Sequence, residues 1–81
     1  MEEIKSIKLL KVFKVNNYEY CNYYIYFMEN DGNYEIYLKN KHYGDLMYLY
    51  GVPKEQQPID YLYNNNNFDE FIQEYQEKYE D

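Results

Sequence analysis

The 81-residue chain contains no arginine, tryptophan, alanine or threonine, and it has only one cysteine, one histidine and one serine. Without arginine, it lacks the planar donor that clamps phosphates and carboxylates in a bidentate fashion. The single cysteine, Cys21, excludes an intramolecular disulfide framework and fits a reducing compartment. We therefore expect a fold that is held together by its apolar core rather than by cross-links.

Residues typical of catalytic and metal sites are also scarce. Ser6 lies near the start of the sequence and Cys21 falls on a predicted core face, so neither has a base beside it. His42 is the one histidine, whereas zinc sites usually gather several His or Cys ligands. Phosphate-loop and EF-hand spacings are absent, and no buried carboxylate pair is predicted. We expect no catalytic residues, no metal site, no cofactor and no enzymatic activity.

Long apolar segments are missing as well. No run approaches the roughly 18 residues that a membrane-spanning helix requires. The start of the sequence, MEEIKSIKLLK, lacks the apolar stretch of a secretory signal. The chain is instead rich in tyrosine, asparagine, lysine and isoleucine, the residues of AT-rich codons. We expect a cytoplasmic protein of a bacterial host cell, encoded by a low-GC bacterium or by one of its phages or mobile elements.

Negative charge is present in excess and is unevenly distributed. Acidic and basic residues balance over residues 1–41, so that the whole net charge of −7 belongs to residues 42–81. A field of this sign repels nucleic acid and attracts basic partners. Direct DNA binding requires the opposite balance. We therefore expect a protein partner with a basic groove, and no direct binding to DNA.

Three segments are predicted to form an antiparallel sheet, at about 7–15, 18–29 and 34–39. Asn16-Asn17 and Asp31-Gly32 provide the tight turns between them, since Asn, Asp and Gly accept positive φ angles. For the first segment, a short helix over residues 2–10 is an alternative, because Ile4, Ile7 and Leu10 fall at helical spacing.

The Asp31-Gly32 turn predicts the register of the central hairpin. It pairs Asn30 with Asn33, Phe27 with Ile36, and Ile25 with Leu38. One face then carries Cys21, Tyr23, Ile25, Phe27, Tyr34, Ile36 and Leu38, and the other carries Tyr24, Tyr26, Met28, Glu35, Tyr37 and Lys39. A one-residue slip would mix the apolar and polar sets. The Asn16-Asn17 turn adds Leu10 and Val12 to the apolar face and sets Lys14 opposite Glu19.

Beyond residue 40 the apolar period becomes helical. A helical segment is predicted at about 42–50, where Leu46, Leu49 and Tyr50 share one side and Gly51 ends the segment. Residues 59–63 are a short apolar piece, either a helical turn or a strand. A second helical segment is predicted at about 68–79, capped by Asn67 with Glu70 at the capping-box position. Its apolar stripe comprises Phe68, Phe71, Ile72, Tyr75 and Tyr79.

The expected architecture is a single α+β domain over residues 1–81, with both helical segments on one face of a three-stranded antiparallel sheet. This plan leaves two candidate binding surfaces. The acidic candidates are Asp45, Asp60, Asp69, Glu70, Glu74, Glu77, Glu80 and Asp81. Glutamates one helical turn apart have a spacing of the same order as DNA phosphates, although a solvated helix face is the simpler explanation.

The aromatic candidates are Tyr24, Tyr26 and Tyr37, on the sheet face that the helices leave open. Exposed tyrosines give a large, rigid contact area with a hydroxyl group, and they are enriched at protein interfaces. The alternatives for this face are a small second core, covered by the N-terminal residues, and the contact of a homodimer.

In general plan the chain resembles the small acidic phage anti-CRISPR proteins, which inhibit the nuclease Cas9. The shared features are the length, the acidity, the antiparallel sheet with its Asn-Asp-Gly-Asn hairpin (Asn30, Asp31, Gly32 and Asn33), and helices that carry acidic residues and tyrosine. The chain departs from that plan because no clear N-terminal helix precedes the predicted sheet. The resemblance implies a DNA mimic that occupies the basic groove of a Cas nuclease or of its guide-RNA complex.

Two other functions remain open at the level of the sequence. One is a non-catalytic interaction module that uses the tyrosine face, such as an immunity protein, an antitoxin or a phage regulator. The other is a sponge that holds a nucleotide signal by stacking tyrosine on its bases. The acidic, arginine-free composition suits phosphate groups poorly.

Overall fold

A computed structural model describes residues 7–15 and 18–80. Four strands form an antiparallel sheet in the order β1-β2-β3-β4, with bounds Lys8–Lys14, Tyr23–Asn30, Asn33–Asn40 and Met47–Pro53. Helices α1 (Ile59–Asn64) and α2 (Asp69–Tyr75) follow, and a wider π-type turn at Gln76–Glu80 continues α2. The expected α+β class is confirmed. Ser6, the Asn16-Asn17 turn, most of the alternative helix over 2–10, and Asp81 lie outside the described residues.

The β2–β3 hairpin has the predicted register. Asp31 and Gly32 adopt φ angles of 53° and 84°, the two positive values that a tight two-residue hairpin turn requires. Asn30 lies opposite Asn33, and every pair from there to Tyr23 and Asn40 follows without a bulge. The side chains of Ile25, Phe27, Ile36 and Leu38 are fully buried. Alternation of period two therefore puts the predicted apolar set into the core, with the exception of Cys21.

The beginning of the sheet differs from the prediction. Lys14 lies opposite Tyr24 instead of Glu19, because a 3₁₀ turn at Tyr18–Tyr20 delays the start of β2 until Tyr23. The register is thus displaced by five positions, and an odd displacement exchanges the two faces of a strand. Val12 is exposed on the outer face, while Phe13 packs on the core and Val15 is buried. Leu10 sits at a register shift between Leu9 and Lys11 and is only half-buried.

The predicted helical segment at 42–50 is wrong, because its first part is irregular and a fourth strand begins at Met47. Residues 41–44 form a bend, and β4 pairs with β3 from Met47 to Pro53. Leu46 precedes β4 and is exposed, so it does not share a buried side with Leu49 and Tyr50. A register shift between Ile36 and Tyr37 interrupts the alternation of β4 at Leu49. Core contacts then come from Met47, Leu49, Tyr50 and Val52 rather than from every second residue. Gly51 lies within the strand and Pro53 ends it.

Both helices pack on the same face of the sheet, where α2 was expected and where α1 replaces the helical segment predicted at 42–50. Phe68, Ile72 and Tyr75 of the predicted stripe are buried, and Phe71 and Tyr79 are half-buried against them. Leu62 of α1 joins the same core, which resolves the segment at 59–63 as helical. The ring of Tyr63 stacks on Phe13 with centroids 4.2 Å apart, which fixes α1 against β1.

Three asparagines, at residues 65–67, bind backbone groups at the end of α1 and at the start of α2. The side-chain amides of Asn65 and Asn66 donate to the carbonyls of Tyr61 and Leu62 at the end of α1. The Asn67 Oδ1 accepts the backbone N–H of Asp69 at 2.9 Å. The N-cap of α2 is nevertheless Phe68, whose carbonyl accepts the N–H of Ile72, so the predicted cap lies one residue too early. These bonds replace the intrahelical partners that helix termini lack.

Candidate functional site

The sheet face opposite the helices carries a transverse row of side chains, one from each strand. The pairing of the strands sets Val12, Tyr26, Tyr37 and Tyr48 side by side. We call this face, with its flanking rows, the outer sheet face. The row toward one end comprises Lys14, Tyr24 and Lys39, and the row toward the other end comprises Leu9, Met28, Glu35 and Gly51. No described element packs against this face.

Tyr37 is held at the centre of the outer sheet face by its neighbours. Its ring meets Tyr48 edge to face at 5.5 Å, and its hydroxyl donates to Glu35 Oε1 at 2.9 Å. Asn30 Nδ2 donates to the other oxygen of Glu35 at 3.1 Å. Burial, followed by this bond to the Glu35 carboxylate, raises the pKa of Tyr37 above its usual value. The phenol therefore stays neutral and donates.

The structure brings the three predicted aromatic residues together and adds others. Tyr24, Tyr26 and Tyr37 are half-buried on the outer sheet face, whereas Leu9, Val12 and Tyr48 are 51%, 41% and 52% exposed. Sequence reasoning missed Tyr48 because β4 was expected to be helical. It missed Val12 because the register of β1 was displaced. Gly51 and Pro53, which are typical of irregular or edge strands, were the available signal for β4.

The acidic candidates do not form one uniform surface. Glu70, Glu74 and Glu77 are exposed along α2 and the turn that follows it, at positions i, i+4 and i+7, and we call them the acidic helix row. Asp69 is half-buried at the start of α2. Asp60, on α1, forms an ion pair with Lys11 of β1 at 3.0 Å, with both side chains well exposed. Its charge is therefore partly compensated.

Glu80 is exposed, as expected, and its carboxylate is also used within the fold. Oε2 accepts the hydroxyl of Tyr23 and the Asn40 Nδ2 at 3.2 Å, and it thereby ties the end of the helical layer to β2 and β3. Burial of the Tyr23 ring and its bond to Glu80 raise the pKa of this tyrosine. Beside it, Gln73, Gln76, Glu77 and Glu80 line a groove of about 550 Å³.

Asp45 lies in the bend between β3 and β4, away from the acidic helix row in sequence. The hydroxyl of Tyr75 donates to the backbone carbonyls of Tyr43 and Asp45, at 2.7 and 2.9 Å. Between them, Gly44 has a φ of 68°, and a Cβ there would come within 2.6 Å of the Tyr75 hydroxyl and of the Tyr79 ring. Glycine thus allows the bend to lie against the end of the helical layer.

The residues with chemical reactivity are dispersed. Cys21, predicted to be buried, is exposed in the turn before β2, since that strand starts at Tyr23, five residues later than expected. His42 is exposed, and its backbone N–H donates to Asn40 Oδ1 at 2.8 Å. Within residues 7–15 and 18–80, no group of three or more His, Cys, Asp or Glu side chains is placed to hold a metal ion. Nor does any helix there have the length and apolar character to cross a membrane.

Comparisons with known proteins add no relationship to this geometry. No protein family model, no curated protein and no solved structure matches the chain.

Proposed function

We propose that the chain is a non-catalytic inhibitor protein that occupies the basic groove of a host defence nuclease, a CRISPR-Cas enzyme or its guide-RNA complex. The observation that carries the proposal is the acidic helix row. Glu70, Glu74 and Glu77 are exposed in succession, and no lysine lies between Lys54 and Lys78. On a helix these steps rise about 6 and about 4.5 Å, of the same order as the roughly 3.4 Å rise per phosphate of a DNA strand.

Several acidic residues make contacts within the fold, and this limits the set of carboxylates that we propose to contact the partner. Asp60 is partly compensated by Lys11, and Glu80 is held by hydrogen bonds to Tyr23 and Asn40, so these two carboxylates are less available to a partner. Glu70, Glu74 and Glu77 remain, beside the glutamine-lined groove at Gln73 and Gln76. Carboxylates in such a row complement a lysine- and arginine-rich groove, and they raise the rate of encounter with it.

The test uses the chain as bait in lysate of a low-GC bacterium that carries a CRISPR-Cas system. A Glu74→Gln/Glu77→Gln variant is compared with an Asp31→Asn/Glu55→Gln variant, which removes the same charge from exposed positions elsewhere. We expect the first variant to capture at least about tenfold less Cas nuclease, since losing about 1.4 kcal/mol of binding energy has that effect. The second variant should capture the nuclease almost as well as the natural chain.

Salt provides a second, independent readout. At about 0.5 M salt the Debye length is roughly 4 Å, so capture through exposed charges should be largely lost. In a purified system, the chain should also compete with target DNA for the captured nuclease–guide complex. Capture of a protein that does not bind nucleic acid, or capture indifferent to both salt and the helix substitutions, would contradict the proposal.

The outer sheet face favours a second candidate function, a protein-interaction module of another kind. Its tyrosine row has the composition of an interface core, with Tyr48 and Val12 exposed at its two ends. The two candidate functions predict different effects of these substitutions on capture of the partner. Capture that is lost in Tyr48→Ser and unchanged in the Glu74→Gln/Glu77→Gln variant favours the module.

A further inference from the structure

Two residues of opposite charge lie at equal distances along β3 from Tyr37 on the outer sheet face. On β3, Lys39 and Glu35 lie two residues to either side of Tyr37, so all three point to the same side of the sheet. On β1, Lys14 lies in the same end row as Lys39. Lysine therefore marks one end of the face and glutamate the other, with the tyrosine row between them.

From this arrangement we infer that the outer sheet face binds a second copy of the same chain. In this dimer the two sheets stack face to face. The two-fold axis runs along the tyrosine row, in the plane between the sheets. Each end of one face therefore lies over the opposite end of the other copy's face. Lys39 then meets Glu35 of the other copy, and Glu35 meets its Lys39, while Tyr37 lies next to its own equivalent. Such an isologous contact closes on itself as a dimer.

The two charged groups retain bonding capacity for this contact. Lys39 Nζ donates to the carbonyl oxygens of Asn40 and Gly44, each at 3.1 Å, and an ammonium group has three donors. Each oxygen of Glu35 accepts one hydrogen bond, and each can accept another. Both groups are therefore oriented by the fold and can still bind across the interface.

The overall negative charge does not oppose this dimer strongly. Glu35 is the one carboxylate that the described strands place on the outer sheet face, where Lys14 and Lys39 accompany it. The acidic helix row belongs to the layer on the other side of the sheet. In the dimer, two outer sheet faces of neutral to slightly positive charge stack about 10 Å apart. The two acidic helical layers then lie on the outside.

The size of the face indicates a dimer of low affinity. Four strands at about 4.8 Å spacing, each about 25 Å long, give a footprint of roughly 500 Å² per copy. The total of roughly 1,000 Å² lies at the lower end of specific interfaces. Areas of this size are typical of weak, transient complexes, so we expect a dissociation constant on the order of 10–100 µM.

Sedimentation equilibrium over about 5–500 µM protein tests the dimer and its axis. Lys39→Glu and Glu35→Lys each place like charges opposite one another, so each variant alone should dimerise at least about tenfold more weakly. In an equimolar mixture the two variants become complementary at both contacts, and association should return. A mixture that associates no better than the separate variants would overturn the proposed axis, and circular dichroism confirms that each variant is folded.

A matched pair of tyrosines tests the face without altering its charge. Tyr48, on the outer sheet face, and Tyr61, on α1, are 52% and 49% exposed, so neither substitution opens the core. Tyr48→Ser should weaken dimerisation at least about tenfold, and Tyr61→Ser should leave it unchanged. A wild-type chain that stays monomeric up to about 500 µM, or equal effects of the two substitutions, would refute the inference. Neither result bears on the acidic helix row, which lies in the other layer.

Discussion

Glu80 shows how an acidic residue can be structural within a strongly acidic segment. Its carboxylate joins the end of the helical layer to Tyr23 of β2 and Asn40 of β3. The position of Glu80 along the helix gives no sign of this, because the π-type turn at Gln76–Glu80 changes the direction in which its side chain points. Helical periodicity alone therefore groups Glu80 with the solvent-facing glutamates.

Removal of this carboxylate should destabilise the fold. We expect Glu80→Ala to lower the free energy of unfolding by about 1–3 kcal/mol, because it leaves polar atoms of Tyr23 and Asn40 without an acceptor. Glu77→Ala, at an exposed position one turn earlier, should change it by no more than about 0.5 kcal/mol. Urea denaturation measures both, and equal losses would show that the Glu80 contact contributes nothing.

At the level of elements, the central hairpin was predictable and the two outer strands were not. Asp31-Gly32 fixes the turn and the alternation of side chains fixes the register, so local sequence contains all the necessary information. β1 and β4 each contain a register shift, which breaks the period of two on which strand recognition depends. In β4 the resulting spacing imitates a helix, and pairing with β3 determines the outcome.

The same distinction applies to the candidate site. Tyr24, Tyr26 and Tyr37 belong to the hairpin and could be placed on one face from sequence. The partners of Asp60 and Glu80 come from β1, β2 and β3, at large separations along the chain. No local pattern reports such contacts, because they depend on how the helical layer is docked on the sheet.

The side-chain hydrogen bond of Asn67 at the start of α2 provides a test at this scale. Asn67→Ala removes the acceptor for the Asp69 N–H and should destabilise the protein by about 1 kcal/mol. Asn67→Asp keeps the acceptor and adds a negative charge near the helix N-terminus, so stability should be maintained or slightly increased. Thermal unfolding distinguishes the two variants. Equal losses would mean that the side-chain bond is dispensable.

In the molecule as a whole, charge and aromatic content are separated into two layers. The helical layer carries the acidic helix row, while the outer sheet face presents tyrosine, aliphatic groups and two lysines beside a single carboxylate. The two proposals therefore concern different sides of the same thin molecule. A chain that dimerises through the sheet would present two acidic rows, one on each outer side.

Stability should fall in alkali. Burial is the main cause that raises the pKa of Tyr23, Tyr37, Tyr50 and Tyr75 above 10.0 in the folded chain. The unfolded chain loses these protons first, so the stabilisation is complete below about pH 10 and is lost as the pH rises through the folded-state pKa values. Urea denaturation between about pH 8 and pH 12 should show a declining free energy of unfolding. A constant value across that range would contradict this expectation.

Tyr50→Phe provides the control for this effect. The Tyr50 hydroxyl is buried and has no hydrogen-bond partner among the described residues, and its pKa is raised by burial alone. Its removal should preserve or increase stability at neutral pH, since no hydrogen bond is lost. It should also make the alkaline decline shallower, because one titrating group fewer contributes to it.

The irregular strands β1 and β4, at the two edges of the sheet, also oppose aggregation. A chain so rich in tyrosine and asparagine has a composition that favours stacking of strands into fibrils. Along β1, however, lysine recurs at Lys8, Lys11 and Lys14, and β4 ends in Pro53, which cannot donate a ladder hydrogen bond. Together with the register shifts, these residues obstruct the addition of a fifth strand at either edge. The sheet is therefore protected against open-ended growth along its edges. Association through the outer sheet face, as proposed above, stops at two copies.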